Sequence, residues 1–197
     1  FLEGKESALL ALNYAKTQKL KESASVFKIL DESENLSEKD RLNYAKVLLF
    51  SARYKEAQIQ AAKCNLIEGK YILALAQFNT RNWNFCEENF LTFLKSPSID
   101  KVSKSYAEFY LGYSKYRLGK FKESCEILSR FVSSYPEHEL IWNALMTYSN
   151  AAVQILKFDD ASKYAEKAVK YAKNSSDREE AVFLCQEIYS DSGNYEK

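Results

Sequence analysis

The feature that most constrains this chain is its resemblance to itself at a period of 29 to 38 residues. An aromatic residue or Leu followed three positions later by a small residue recurs, as in Tyr54-Lys55-Glu56-Ala57 and Phe121-Lys122-Glu123-Ser124. The anchors fall at Leu20, Tyr54, Trp83, Phe121, Phe158 and Tyr195, with successive differences of 34, 29, 38, 37 and 37 residues. Their small partners are Ser23, Ala57, Cys86, Ser124 and Ala161. Further columns keep the same register. Four residues past the small partner stand Phe27, Ala61, Phe90, Leu128 and Ala165, and three beyond those stand Leu30, Cys64, Phe93, Phe131 and Ala168. That spacing is the apolar stripe of a helix. Ten residues before each anchor lie Leu10, Tyr44, Leu73, Leu111, Tyr148 and Cys185, followed by Ala11, Ala45, Ala74, Gly112, Ser149 and Gln186.

These columns predict a helical hairpin in which small residues let two helix backbones approach and bulky ones fill the facing holes. One hairpin leaves apolar surface bare, so hairpins must stack on their neighbours. The expectation is an all-α array of about eleven helices, with units at 4–37, 38–66, 67–104, 105–141 and 142–178 and a partial unit at 179–197. The second unit is five residues short of the first, which predicts a second helix trimmed near Cys64-Asn65. Composition agrees: 46% hydrophobic residues suffice for a continuous core, and 2 prolines and 5 glycines are too few for many short strands.

The columns resemble the tetratricopeptide (TPR) repeat, with its Leu-Gly in the first helix, A-x3-F in the second and a closing Pro. The fourth unit fits best: Leu111-Gly112 in the first helix, Gly119 at the turn, Phe121 opening the second helix, Ser124 and Leu128 in the A-x3-F slots, and Pro136 closing it. Lys115 departs from the pattern, standing where the family has Tyr. The resemblance spans residues 4–197 and implies a right-handed α-α superhelix, a TPR solenoid. The stretches Tyr106–Gly112 and Arg130–Pro136 look like the bacterial cell-envelope subgroup. That likeness implies a role in an envelope assembly and a periplasmic location, the cytoplasm being the alternative.

In the family the first helix of each unit lines the concave groove, on the face opposite the Leu and small-residue columns. Carried over, that face comprises Tyr71, Leu75, Phe78 and Asn79 in the third unit and Tyr106, Phe109, Tyr113, Tyr116 and Arg117 in the fourth. The fifth contributes Asn143, Met146 and Asn150. The implied partner is a protein peptide or helix, since tyrosines give large contact area with few rotors to freeze and amides pair with a backbone in both senses. Tyr110 is expected in the core. The chaperone-type carboxylate clamp is not met, because Ala8 and Leu12 occupy the first unit's inner face.

Other chemistries find little footing. His138, the single histidine, sits in a turn with no motif around it and reads as a capping or surface residue, so the chain is read as non-catalytic. Cys64, Cys86, Cys125 and Cys185 form no CxxC and read as small buried thiols, with a Cys86–Cys125 bond the alternative; no metal and no cofactor are expected. With 28 basic against 27 acidic residues, neither nucleic acid nor an anionic membrane is an expected partner. No apolar run approaches membrane-spanning length, and the start Phe1-Leu2-Glu3, without an initiator Met, reads as a soluble fragment or a processed chain. The unfinished unit at Tyr195-Glu196-Lys197 suggests a second reading, an architectural or regulatory domain of a longer protein that could self-associate through its last unit.

Overall fold

The structure is a computed structural model that describes residues 4–193. The anchor columns mark helix starts to the residue. The five second helices are α2 (Leu20–Glu32), α4 (Tyr54–Ala62), α6 (Trp83–Leu94), α8 (Phe121–Ser134) and α10 (Phe158–Tyr171), and each opens on its anchor. They alternate with first helices α1 (Gly4–Lys16), α3 (Glu38–Phe50), α5 (Ile67–Asn79), α7 (Lys101–Arg117) and α9 (Ile141–Val153), followed by α11 (Ser175–Asp191). Eleven helices and no strand occur among the described residues. The sixth anchor, Tyr195, lies outside them. Helix α4 has nine residues where the other second helices have 12 to 14, the trimming that the short second period predicts. The fourth hairpin opens at Lys101, ahead of residue 105, because the Asp100 carboxylate accepts from the Ser103 amide at 2.8 Å and starts the helix there.

Within each hairpin, small residues twelve positions apart occupy matching places on the two helices. Ser23, Ala57, Cys86, Ser124 and Ala161 are all fully buried, as are Ala11, Ala45, Ala74 and Ser149 opposite them. In two hairpins the crossing carries a hydrogen bond: Ser23 Oγ donates to the Ala11 carbonyl at 2.7 Å, and Ser124 Oγ to the Gly112 carbonyl at 2.8 Å. Gly112 is required by space, since a Cβ there would stand 2.7 Å from Leu128 Cδ2. The long-side-chain columns, from Phe27 and Leu30 to Phe131 and Ala168, are buried at 5% exposure or less.

The turn inside each hairpin also repeats. Two residues before the anchor, Gln18, Ala52, Arg81, Gly119 and Leu156 all take a left-handed backbone with φ between 56° and 73°. The next residue's amide reaches back five positions to a carbonyl of the first helix, from Lys19 to Tyr14, Arg53 to Leu48, Asn82 to Gln77, Lys120 to Lys115 and Lys157 to Ala152, at 2.9 Å each time. This Schellman closure satisfies carbonyls that the helix end would otherwise orphan. Gly193, two residues before Tyr195, has φ 74° as well.

The chain divides into two compact units, Phe1–Ile99 and Asp100–Lys197. In the first, α1 packs on α3 and α3 on α5, so the first helices sit side by side. A half-buried network joins its hairpins: Arg41 Nη1 donates to Asp31 Oδ1 (2.8 Å) and to Gln60 Oε1 (2.7 Å), while Gln60 Nε2 donates to Asp31 Oδ2 (2.6 Å). Burial opposes the Asp31 charge, but these bonds outweigh it and hold its carboxyl below the usual range. In the second unit α7 packs on α9, and one core runs from Phe109 through Phe131, Leu145 and Ala165 to Ile188.

Two substitutions test the hairpin geometry by denaturant midpoint. Gly112→Ala should lower stability by about 1–2 kcal/mol, the clash with Leu128 outweighing a helix-propensity gain of about 1 kcal/mol. Leu156→Gly should raise it by about 0.5–1 kcal/mol, because Leu156 is 76% exposed and its side chain gains little packing to offset the left-handed backbone.

Candidate functional site

Helix α7 runs for 17 residues and carries its tyrosines three and four positions apart, which lays them along one side. Tyr106 starts the stripe in the second turn. Its hydroxyl donates to Glu139 Oε1 at 2.6 Å, and its ring meets His138 edge-on with centroids 4.7 Å apart. The bond to Glu139, with burial added, pushes the Tyr106 phenol up to about 12, so it stays protonated as a donor. Further along, the Tyr113 and Tyr116 rings lie 6.3 Å apart, and Tyr116 leans on Phe121 at 5.9 Å. Arg117 Nη1 reaches the Tyr113 hydroxyl at 3.4 Å. Tyr106, Tyr113 and Tyr116 are half-buried, each with part of its ring at the surface, and Arg117 is exposed.

Phe109 differs from the others on this face. It is 4% exposed and packs on Phe131 with centroids 5.8 Å apart, so it belongs to the core and offers a partner no surface. Met146, 7% exposed, is placed likewise. The column two residues before the Leu column explains both: it reads Ala8, Leu42, Tyr71, Phe109, Met146 and Phe183, apolar in every unit, and its first five members are buried or half-buried. Tallying that column marks it as core. Tyr110 is half-buried against the same core, as expected.

On α9, Asn143 is exposed, and Asn150 is half-buried with its amide donated to the Met146 carbonyl at 3.0 Å. Since α7 packs on α9, the structure brings the α7 stripe and these amides onto neighbouring helices. The remaining candidates lie in the first compact unit. Tyr71 packs on Phe93 (4.9 Å) and Phe90 (6.1 Å), and Phe78 meets Trp83 edge-on at 5.3 Å. Asn79 is exposed and donates to the Leu75 carbonyl at 2.8 Å.

Residues with reactive potential are occupied structurally. His138 accepts the Leu140 amide on Nδ1 at 3.1 Å and so stabilises the turn into α9, against Tyr106, Phe131 and Tyr135. Lys115, 6% exposed, places its ammonium 2.6 Å from Glu123 Oε2, a cross-hairpin ion pair where the resemblance has Tyr. The four cysteines are buried, and burial pushes the Cys125 thiol up to about 11, far from the thiolate a nucleophile needs. Among the described residues no cluster of His, Cys, Asp or Glu could hold a metal ion, and no helix is long and apolar enough to cross a membrane.

No family model matches this sequence, and no curated protein matches it. Solved structures share its fold. The chain is similar to YrrB, a TPR protein with an unusual peptide-binding site, with a TM-score of 0.75 at 13% identity over 90% of each chain. It is similar to MamA with a TM-score of 0.69 at 16% identity over 98% of this chain and 97% of that one. A tetratricopeptide repeat protein from Parabacteroides merdae matches with a TM-score of 0.63 at 15% identity, over 98% of this chain and 73% of that one. The chain therefore has the TPR fold of helical hairpin repeats.

The His138 cap makes stability depend on pH. Burial pushes its imidazole below the ordinary 6.5, with Glu139 opposing and Lys173 adding to the shift. The unfolded chain then binds the proton more readily than the folded one, so this contribution is full above 6.5 and is lost as pH falls from there through the folded value. Denaturant midpoints at about pH 7.5 and about pH 5.5 should differ more for the native chain than for His138→Asn, which keeps an acceptor that does not titrate.

Proposed function

We propose that this chain is a non-catalytic protein-interaction scaffold and that the α7 face of its second compact unit holds a peptide or helix of a partner. The observation that carries the reading is the stripe of half-buried tyrosines, Tyr106, Tyr113 and Tyr116, with Arg117 at its end and Asn143 and Asn150 on the adjoining helix. Rings already braced by Glu139, Phe121 and one another lose little freedom on binding, which is how aromatic surfaces convert contact area into affinity. The TPR fold supports the reading, and the peptide-binding site named for YrrB gives it a precedent. In the finer form suggested by the sequence resemblance, the partner belongs to a bacterial envelope assembly in the periplasm. Tyr71, Phe78 and Asn79 are the partner-binding residues proposed for the first unit, taken by itself.

A second reading, self-association or an architectural role, rests on α11. Phe183 is 59% exposed although its counterparts Leu42, Phe109 and Met146 are buried. Gln186 is exposed in a column otherwise buried.

Two measurements separate these readings. Combined Tyr113→Ala and Tyr116→Ala should cut recovery of partners in affinity capture from the source cells about tenfold while the circular dichroism spectrum stays helical. Unchanged recovery would sink the α7 assignment. Phe183→Ser should shift the mass in light scattering from dimer to monomer under the second reading and leave it unchanged under the first.

A further inference from the structure

The first compact unit contains a cavity of about 480 Å³ at the C-terminal ends of α1 and α3. Leu12, Leu20, Val47 and Phe50 line it with apolar surface, and Lys16 and Lys46 contribute two ammonium groups. The rest of its polar lining is amide, from Asn43 and Gln18, with no carboxylate in the wall. Among the described residues neither lysine has an ion-pair partner, whereas Lys28, Lys104 and Lys115 do.

Phe50 is the anomaly that singles this place out. Four residues before the anchor the other hairpins carry Lys16, Asn79, Arg117 and Gln154, all polar. Phe50 alone is apolar there, and it is 74% exposed at the cavity's edge. Lys46 in turn occupies the column of Tyr113 and Asn150, so it stands on the corresponding face of its own hairpin. A large ring held in water beside a cavity lined by two lysines and no carboxylate is complementary to an apolar side chain accompanied by carboxylates.

We propose that this cavity is a docking site for an acidic protein segment: an aromatic or branched aliphatic side chain enters against Leu12, Val47 and Phe50, and flanking carboxylates pair with Lys16 and Lys46. The cavity can hold one such side chain and the adjoining backbone. This site is separate from the α7 stripe and stands whether or not that stripe binds a partner.

The probe is a fluorescein-labelled, end-blocked peptide with one central phenylalanine flanked by glutamates, titrated against the full chain by anisotropy. Binding should weaken about tenfold in Lys46→Glu and in Phe50→Ser, and should fall steeply between about 0.05 M and about 0.5 M salt. Phe50 is exposed, so its variant keeps the fold, which the circular dichroism spectrum checks. Failure here stays distinct from failure of the α7 reading, because this site is read by peptide anisotropy in the Lys46 and Phe50 variants and the α7 face by affinity capture in the Tyr113 and Tyr116 variants. Equal binding of a peptide with lysines for glutamates, or with serine for phenylalanine, would overturn the proposal. So would unaltered affinity in both variants, or binding to phosphatidylserine vesicles with none to the peptide.

Discussion

The structure depends on one close approach, the crossing of two helices at small residues twelve positions apart. With Ala11 against Ser23, Ala45 against Ala57, Ala74 against Cys86, Gly112 against Ser124 and Ser149 against Ala161, no side chain holds the backbones apart. Two of these crossings add a serine hydrogen bond to the opposite carbonyl, a polar contact possible only at such range. Once the crossing is fixed, the bulky columns fall into place on either side, and Phe27, Phe90, Leu128 and Phe131 reach full or nearly full burial without competing for space. Where Gly112 stands, even one additional methyl would collide with Leu128.

The hairpin turn is the second constraint, and it is set by backbone rather than by side chain. Gln18, Ala52, Arg81 and Leu156 accept the same left-handed conformation as Gly119, although each carries a Cβ. The closing amide-to-carbonyl bond and the packing of the following anchor over-determine that conformation, so composition at the turn can vary while geometry does not. This is why the turn is nearly invisible in the sequence and uniform in the structure. The starts of the second helices, by contrast, were legible, because the aromatic or Leu anchor has to meet the first helix as soon as the turn is complete.

The candidate site was legible in part. Tyr106, Tyr113 and Tyr116 keep surface, as expected, whereas Phe109 and Met146 are drawn inward. The reason is angular. A helix carries only so much groove face, and residues two positions before the Leu column lie where the hairpin's own second helix covers them, as the contact of Phe109 with Phe131 illustrates. The bracing of Tyr106 by Glu139 joins residues 33 positions apart through an irregular turn, which no local periodicity reports. Lys115 likewise looked like a flaw in the pattern until Glu123 supplied its counter-charge across the hairpin. Phe50, conversely, was readable all along as the apolar member of a polar column.

The repeated turn also governs how the chain can acquire its shape. Each five-position closing bond, such as that from Lys120 to Lys115, and each twelve-position crossing, such as that from Ser124 to Gly112, links parts of the chain only a few residues apart. Joining them costs little loop entropy, so any hairpin can form first and template its neighbour. On a ribosome this means that α1 and α2 can close as soon as residues to Glu32 have emerged, and a later hairpin of the same compact unit can add to a surface already built.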